Sequence, residues 1–318
     1  MRYLVAGGAG FIGHHMVKRL VSEDFHGPKL LPNTNEVTVV DNYCTGSKKN
    51  HVRSKQVKYI LDDICDYRDN HKYDRIINLA CPASPVAYQS TPIQTWLTSV
   101  QGVYNLLGLA HLCGARFLQA STSEVYGDPT VHPQKETYWG NVNSYGPRAC
   151  YDEGKRAAES LIYDFQRVAQ SDCRIVRIFN TYGPNMAEND GRVVSNFIMQ
   201  AIQNKPITIY GDGSQTRSFC YVEDTVEAIL RVLEGSYSQP LNVGNPKENT
   251  MLELAAAVIG LTKSKSKIIS MTLPENDPRQ RCPDISKIKE LYWWAPNTEL
   301  EQGLRKTIAY FRALQLKK

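Results

Sequence analysis

Short apolar runs alternate with longer amphipathic segments over the first 180 residues of the chain. The runs predict β-strands at residues 2–6, 36–40, 57–61, 74–79, 116–121 and 173–178. The longest helical patterns between them cover residues 92–113 and 145–170. Strands that alternate with helices predict a parallel sheet that is covered by helices on both faces. The expected fold class is therefore α/β, with a Rossmann-type doubly wound parallel sheet.

The pattern loosens after residue 180. Loops rich in Gly, Pro and Asn are predicted at residues 183–192, 211–215 and 244–249. Helices are predicted near residues 193–204, 223–234, 251–260 and 299–315. We expect this part to form a smaller mixed α/β lobe beside the main sheet.

Three glycines, Gly7, Gly10 and Gly13, follow the first strand directly and precede a helical pattern. Glycine allows a tight turn and a close backbone approach to a pyrophosphate, and the next helix directs free amide groups at that anion. The sequence therefore predicts a dinucleotide site whose loop includes Phe11 and Ile12. The alternative for the spacing alone is an ordinary glycine-rich turn.

An acidic residue, Asp41, closes the second strand, and Asn42 follows it. A carboxylate there accepts hydrogen bonds from ribose hydroxyls and repels a 2′-phosphate, so these residues favour NAD over NADP. Two alternatives remain open: Asp41-Asn42 is also good turn chemistry, and Lys48 and Lys49 would suit a 2′-phosphate. A turn-rich stretch at residues 24–35 predicts a long loop before this strand.

Two further strands end in residues that are suited to a cofactor. Ligands of open α/β sheets lie at the carboxyl ends of the strands. Asp63 and Ile64 follow the third strand, and we expect them near the adenine. Leu79 and Ala80 follow the fourth strand, and we expect them along the diphosphate and the nicotinamide ribose.

Composition excludes several classes of protein. Hydrophobic content of 42%, charged content of 22% and a net charge of +5 are ordinary for a globular chain and predict no nucleic-acid partner. The eight cysteines lack metal spacing, which predicts reduced thiols and no metal site. A strand that starts at residue 2 leaves no room for a leader, and no apolar run reaches the ~18 residues of a membrane span. These features predict a cytoplasmic protein.

Tyr151 and Lys155 lie four residues apart in a helical pattern, so they share one face of the helix. A lysine ammonium beside a phenol favours the phenolate and is expected to lower a pKa that is normally about 10. A phenolate near neutral pH is a general base for a sugar hydroxyl. The alternative for the spacing alone is a solvated helical pair.

These motifs, with Ser121-Thr122 at the end of the fifth strand, resemble extended short-chain dehydrogenases/reductases that act on nucleotide sugars. Several longer segments resemble the UDP-glucuronic acid decarboxylase (UDP-xylose synthase) family: residues 79–85, 121–129, 146–156, 190–197 and 211–219. The resemblance extends from residue 1 to about residue 312. It implies that UDP-glucuronate is decarboxylated to UDP-xylose with bound NAD, through transient oxidation at C4, loss of CO2 and re-reduction.

The resemblance also implies roles for the catalytic residues. Tyr151 would take the proton of the C4 hydroxyl, while Thr122 would bond the C4 oxygen. Glu124 would assist chemistry at C5 and C6, and Arg281 would lie near the substrate carboxylate, which suits its forked guanidinium. Ser123 stands where related 4,6-dehydratases carry an acidic Asp, so the elimination of water would lack its proton donor.

The resemblance assigns the remainder of the substrate and the domain organisation. The expected substrate-binding residues are Thr122, Glu124, Asn180, Arg192, Tyr210, Gln215, Arg217 and Arg281. Residues 1–180, with a return segment near 218–246, would form the NAD-binding Rossmann domain. Residues 181–318 would mainly form the nucleotide-sugar-binding lobe, and the family implies a homodimer.

Other activities remain open at this point. A 4,6-dehydratase or a 4-epimerase of the same superfamily is the nearest alternative, and a non-catalytic nucleotide-sugar sensor is a third. The chain also departs from the family: His14 replaces a serine after the last glycine, Leu97 stands where a cofactor-facing lysine is common, and Ser99 replaces an asparagine. These departures concern retention of the cofactor more than the chemistry.

Overall fold

The structure is a computed structural model, and it describes residues 1–25, 33–272 and 280–316. Most of the predicted loop at residues 24–35 lies outside the described residues. The strands are β1 (Arg2–Ala6), β2 (Glu36–Asp41), β3 (Val57–Leu61), β4 (Arg75–Asn78), β5 (Arg116–Thr122), β6 (Cys173–Ile178), β7 (Thr181–Tyr182), β8 (Ile207–Tyr210), β9 (Thr216–Ser218), β10 (Cys220–Tyr221), β11 (Leu241–Val243), β12 (Glu248–Thr250), β13 (Ile268–Met271) and β14 (Gln280–Arg281).

The helices alternate with the strands in the first half of the chain, as predicted. They are α1 (Phe11–Leu20), α2 (Pro85–Ser90), α3 (Pro92–Leu97), α4 (Val103–Cys113), α5 (Ala149–Ala169), α6 (Val193–Ile202), α7 (Val222–Glu234), α8 (Met251–Thr262), α9 (Ser286–Tyr292) and α10 (Leu300–Gln315). Within the described residues, no helix has both the length and the apolar character that crossing a membrane requires.

A seven-stranded sheet forms the centre, in the order β11-β6-β5-β4-β1-β2-β3. Every neighbouring pair in it is parallel. The α/β doubly wound prediction is therefore confirmed. The last strand, β11, comes from residues 241–243 and falls inside the predicted return segment, while the boundaries of the two domains stay a prediction.

Two apolar layers cover the sheet, one on each face. In β1, Leu4 packs in one core cluster and the adjacent Val5 in the other, because successive side chains of a strand point to opposite faces. Both residues are fully buried. Burial on both faces explains why the central strand β1 is a continuous apolar run from Tyr3 to Ala6.

The predicted helix at residues 92–113 contains a break in its hydrogen-bond pattern. The structure divides it into α3, a π-helical stretch at residues 98–102, and α4. A π-helical turn inserts one extra residue per turn, which a periodicity of 3.6 does not reveal, and such turns are frequent at functional sites. Here it brings Thr98 to the cleft that is described below.

In the part of the chain that the structure describes, three small sheets lie beyond the main one. Strand β8 pairs with β13, β7 pairs with β10, and β9 lies between β12 and β14. The parallel register of β9 and β14 places Arg217 opposite Arg281. These short strands hold several of the residues that were predicted to bind the substrate.

Candidate active site

A cleft of about 1160 Å³ opens at the carboxyl ends of the central strands. It is lined by the glycine loop, by the ends of β2, β4 and β5, and by α5. All of the predicted cofactor-binding residues line it: Gly7, Gly10, Phe11, Ile12, Gly13, Asp41, Asn42, Asp63, Ile64, Leu79, Ala80, Tyr151 and Lys155. The sheet topology thus brings together residues that lie far apart in the chain.

The glycine loop is shaped for close approach. Gly7 has a φ of +74°, and a Cβ on it would lie 2.8 Å from the backbone of Ala80. A Cβ on Gly13 would overlap the carbonyl oxygen of Gly7. Helix α1 begins directly after Gly10, and no side chain of the described residues caps that end. An uncapped helix start beside a side-chain-free loop fits the pyrophosphate of a dinucleotide.

The departure at His14 does not obstruct this loop. His14 Nδ1 donates to the carbonyl oxygen of Asn50 at 2.7 Å. Burial is the largest cause of its lowered pKa, so the ring favours its neutral form. Among the described residues, His14 is not part of the lining of the cleft.

Asp41 performs the turn chemistry that the sequence left open as an alternative. Its Oδ1 accepts the N–H of Tyr43 at 2.8 Å, and its Oδ2 accepts the N–H of Ala9 at 2.9 Å. Burial raises the pKa of Asp41, and these two hydrogen bonds oppose that shift. The carboxylate thus ties the end of β2 to the glycine loop while it lines the cleft, and its contact with the ribose stays a prediction.

Tyr151 and Lys155 are both buried, so they are not a solvated helical pair. The ring of Tyr151 stacks on Tyr88, with centroids 5.0 Å apart. Lys155 Nζ lies 5.8 Å from the centroid of the Tyr151 ring and donates to the carbonyl oxygen of Ala120 at 2.9 Å. The Thr122 side chain lies near enough to the phenol to affect its pKa. The two predicted catalytic side chains therefore meet the end of β5.

The prediction that the pKa of the Tyr151 phenol is lowered is wrong. The pKa of Tyr151 is raised, and burial is the largest cause; the Thr122 side chain acts in the opposite direction. Burial also lowers the pKa of Lys155. The charge of a lysine favours a phenolate, but both groups are inside the protein, and their desolvation favours the neutral forms.

Glu124 lies between two arginines. Both terminal nitrogens of Arg281 contact its carboxylate, and Arg148 Nη2 donates to its Oε2 at 2.6 Å. Burial lowers the pKa of Arg281 to about 10. Glu124 and Ser123 line the cleft, whereas Arg281, among the described residues, does not. An incoming carboxylate would therefore compete with Glu124 for Arg281. The ion pair between Glu124 and Arg281 was not predicted from the sequence.

The residues predicted for the nucleotide end of the substrate divide into two groups. Asn180 and Arg192 line the cleft. Asn180 Nδ2 is buried and has no hydrogen-bond partner in the described part of the chain, which suits an acceptor supplied by a ligand. Arg192 pairs with Asp190 and lies 5.5 Å from the ring centroid of Phe11, so it borders the glycine loop.

The second group lies outside the cleft in the part of the chain that the structure describes. It consists of Tyr210, Gln215 and Arg217. Gln215 Nε2 donates to the carbonyl oxygen of Tyr210 at 2.6 Å, and Arg217 Nη1 donates to that of Thr216 at 2.8 Å. The main cleft does not bring them together with Tyr151, and their contact with uridine or diphosphate stays a prediction.

Sequence reasoning missed several residues that line the cleft. Thr98 lies in the π-helical stretch, and Tyr310 and Leu314 lie on α10. The amphipathic pattern of the last helix predicts that one face is covered, but it cannot show which surface covers it. No signal in the sequence would have assigned these residues to the site.

Comparison with known protein families places this fold and site in one class. The family model described as "NAD dependent epimerase/dehydratase family" matches residues 3–244. The solved structure of DesIV, a dTDP-glucose 4,6-dehydratase from Streptomyces venezuelae with NAD bound, is similar with a TM-score of 0.89 and 25% identity. That similarity covers 100% of this chain and 98% of that chain.

Curated relatives narrow the class. UDP-glucuronic acid decarboxylase 4 of Arabidopsis thaliana is 50% identical over 98% of this chain and 69% of its own length. UDP-glucuronic acid decarboxylase 1 of Danio rerio is 48% identical over 98% of this chain and 72% of its own length. The chain belongs to the NAD-dependent epimerase/dehydratase family and, within it, to the UDP-glucuronic acid decarboxylases.

Asp152, next to Tyr151, is a buried carboxyl group whose pKa is raised to about 7 by desolvation. Its Oδ1 has no hydrogen-bond partner among the described residues, and its Oδ2 lies 3.9 Å from Arg148 Nε. The folded chain therefore holds a proton that the unfolded chain releases near pH 4. The stability that this proton confers is present below pH 4 and is lost as the pH rises toward 7.

We predict that Asp152→Asn stabilises the chain at pH 8 by roughly 1–4 kcal/mol, because the amide cannot acquire a buried charge. At pH 4 the gain should disappear, since the wild-type carboxyl is then neutral. Urea denaturation at both pH values measures the difference. Asp164→Asn, at an exposed position of the same helix, is the control and should change stability by less than about 0.5 kcal/mol. A gain for Asp152→Asn that is equal at both pH values would contradict the assignment.

Proposed function

We propose that this chain converts UDP-glucuronate to UDP-xylose and CO2, with NAD bound in the cleft. The observation that carries the proposal is the position of Tyr151, buried against Thr122 at the end of β5, in the same cleft as the glycine loop. The identity of about 50% with relatives named UDP-glucuronic acid decarboxylase supports the same proposal.

The residues present fit a dinucleotide. Gly7 and Gly13 leave space where a Cβ would collide, the start of α1 is uncapped, and Asp41 stands at the end of β2 where a ribose would bind. We propose NAD rather than NADP because that carboxylate would repel a 2′-phosphate. Bound NAD supplies a hydride acceptor and donor for C4 of the sugar, and its oxidised, cationic ring favours the phenolate of Tyr151.

Tyr151 carries the proton of the C4 hydroxyl in both directions. As the C4–H bond is oxidised, the phenolate takes the hydroxyl proton, and in the return step the phenol gives it back. The burial that raises the pKa of Tyr151 suits the donating half of this cycle. Lys155, held by the Ala120 carbonyl, adds positive charge near the ring, while Thr122 positions the phenol and the C4 oxygen.

The ketone at C4 then drives the loss of CO2. It lies β to the C6 carboxylate, so the electron pair of the C5–C6 bond moves into an enolate as that bond breaks. A proton is then added at C5. Arg281 would orient the carboxylate and Glu124 would assist at C5, which requires their mutual ion pair to open for the substrate.

The remaining assignments extend the site to the nucleotide. Asn180 and Arg192 would bind the sugar or diphosphate, and Tyr210, Gln215 and Arg217 would bind the far end of UDP. Residues 1–180 with 218–246 would mainly hold the cofactor, and residues 181–318 mainly the nucleotide sugar. A dehydratase or an epimerase remains the alternative activity, and Ser123 and Arg281 favour the decarboxylase over both.

A homodimer and a cytoplasmic location belong to the same proposal. Large apolar side chains are exposed on α3, α4 and α5: Ile93, Trp96, Tyr104, Leu112, Tyr163 and Val168. A second copy of the chain would cover such a surface. All eight cysteines are free, which suits a reducing compartment.

We predict that the purified protein releases one CO2 and forms one UDP-xylose for each UDP-glucuronate consumed. We also predict that Tyr151→Phe lowers kcat by a factor of about 10² to 10⁴, because the variant lacks the phenol that carries the proton. The substrate Kd should change little, because the phenol acts on one proton. Assays with and without added NAD⁺, analysed by mass spectrometry, provide the measurement. Tyr145→Phe, which alters an almost fully exposed tyrosine shortly before the same helix, is the matched control. Near-normal turnover by Tyr151→Phe would refute the proton-carrier role, and a 6-deoxy-4-keto sugar formed from dTDP-glucose would indicate a dehydratase.

We predict that Arg281→Ala weakens binding of UDP-glucuronate far more than binding of an uncharged UDP-hexose, because only the uronate offers a carboxylate to the guanidinium. Isothermal titration with both ligands gives the ratio, and a loss of about tenfold or more specific to the uronate is expected. Equal losses for both ligands would show that Arg281 acts only by holding Glu124.

A further inference from the structure

A cluster of three metal-ligating side chains lies outside the cleft. His132, Glu248 and Cys282 each offer one ligand atom, and these atoms all lie within 4.8 Å of one another. His132 precedes Glu248 by 116 residues, so no sequence spacing could reveal the cluster. We propose that these three residues bind one Zn²⁺ ion, contrary to the expectation from cysteine spacing that the chain has no metal site.

The ligand set selects the metal. Zinc binds thiolate sulfur at about 2.3 Å and imidazole nitrogen or carboxylate oxygen at about 2.0–2.2 Å, in tetrahedral geometry. Those bond lengths place two ligand atoms of one ion about 3.3–3.8 Å apart. His132 Nε2 and Glu248 Oε2 are 2.9 Å apart, so modest side-chain movement opens room for the ion. A sulfur and an imidazole together disfavour magnesium and calcium, which prefer oxygen.

Neighbouring groups hold two of the ligands in place. Thr216 Oγ1 donates to Glu248 Oε1 at 2.5 Å, which leaves Oε2 for the metal. The backbone of Cys282 is fixed at both ends, because its N–H donates to Gln134 Oε1 and its carbonyl accepts the N–H of Gln134, each at 2.9 Å. Such supporting hydrogen bonds orient metal ligands and raise metal affinity. The loop that holds His132 is therefore already joined to the strand end that holds Cys282.

Binding exchanges a proton for the metal. The thiol of Cys282 is buried and donates to the carbonyl oxygen of Pro246 at 3.3 Å. As the Zn–S bond forms, the S–H bond breaks and one proton passes to the solvent, while the charge of the thiolate is balanced by the ion. Three protein ligands leave the fourth position to a water molecule.

The position of the cluster gives the ion a structural role. Cys282 directly follows Arg281, which holds Glu124, and Glu248 lies on β12 of the same small sheet. A zinc ion would join this sheet to the loop of His132 and restrain the strand end beside Arg281. The expected effect is a higher Tm for the zinc-loaded chain.

The test uses the whole chain of 318 residues after treatment with a chelator. Titration with Zn²⁺ against a competing chromogenic chelator should show one tight site per chain, with one proton released in weakly buffered solution. Titration with Co²⁺ should produce the near-ultraviolet charge-transfer band of a thiolate ligand. Cys282→Ser should abolish that band, and His132→Gln should lower metal affinity by about tenfold or more.

Cys113→Ser, which changes a partly buried cysteine outside the cluster, is the matched control and should bind both metals like the wild type. If Cys282→Ser does not fold, as judged by circular dichroism, His132→Gln carries the test alone, because its side chain is about one-third exposed. A Co²⁺ spectrum without the thiolate band, no stoichiometric zinc site, or wild-type affinity in His132→Gln would overturn the proposal. His132 and Glu248 would then be an ion pair beside an inert thiol.

Discussion

The hydrogen bond between the ammonium of Lys155 and the carbonyl oxygen of Ala120, 2.9 Å long and buried, sets the geometry of the active site. A buried ammonium needs a partner, since an unpaired one would be costly to desolvate. This bond joins α5 to β5. Tyr151 precedes Lys155 by one helical turn, so the same bond places Tyr151 beside Thr122. The backbone of the sheet, and not a loop, therefore fixes the position of the proposed catalytic phenol.

The parallel sheet extends this constraint to the cofactor side of the cleft. Strands β1, β4 and β5 are neighbours, so the glycine loop that follows β1 and the Thr122 end of β5 lie at the same edge. The ionisable groups of the cleft are also constrained. Glu124 forms ion pairs with Arg281 and Arg148, and burial raises the pKa of Tyr151. Burial therefore favours the protonated form of the Tyr151 phenol.

The sequence predicted elements better than it predicted contacts. Strands β1 and β6 were predicted at their observed bounds, and in β1, which is buried on both faces, the apolar run is continuous from Tyr3 to Ala6. The π-helical stretch at Thr98 was missed because periodicity does not register one inserted residue. The pairing of Arg281 with Glu124, which lie 157 residues apart, depends on how β14 packs, and each residue had been expected to touch only the substrate.

The central claim is that decarboxylation proceeds through reversible oxidation at C4, which can be followed with UDP-glucuronate that carries deuterium at C4. Samples quenched during a single turnover and analysed by mass spectrometry and NMR should contain a transient 4-keto sugar that has lost the deuterium. The final UDP-xylose should carry the deuterium at C4 again. Two results would contradict the account. One is UDP-xylose that carries hydrogen from the solvent at C4. The other is release of CO2 with no 4-keto sugar lacking deuterium detected during the turnover.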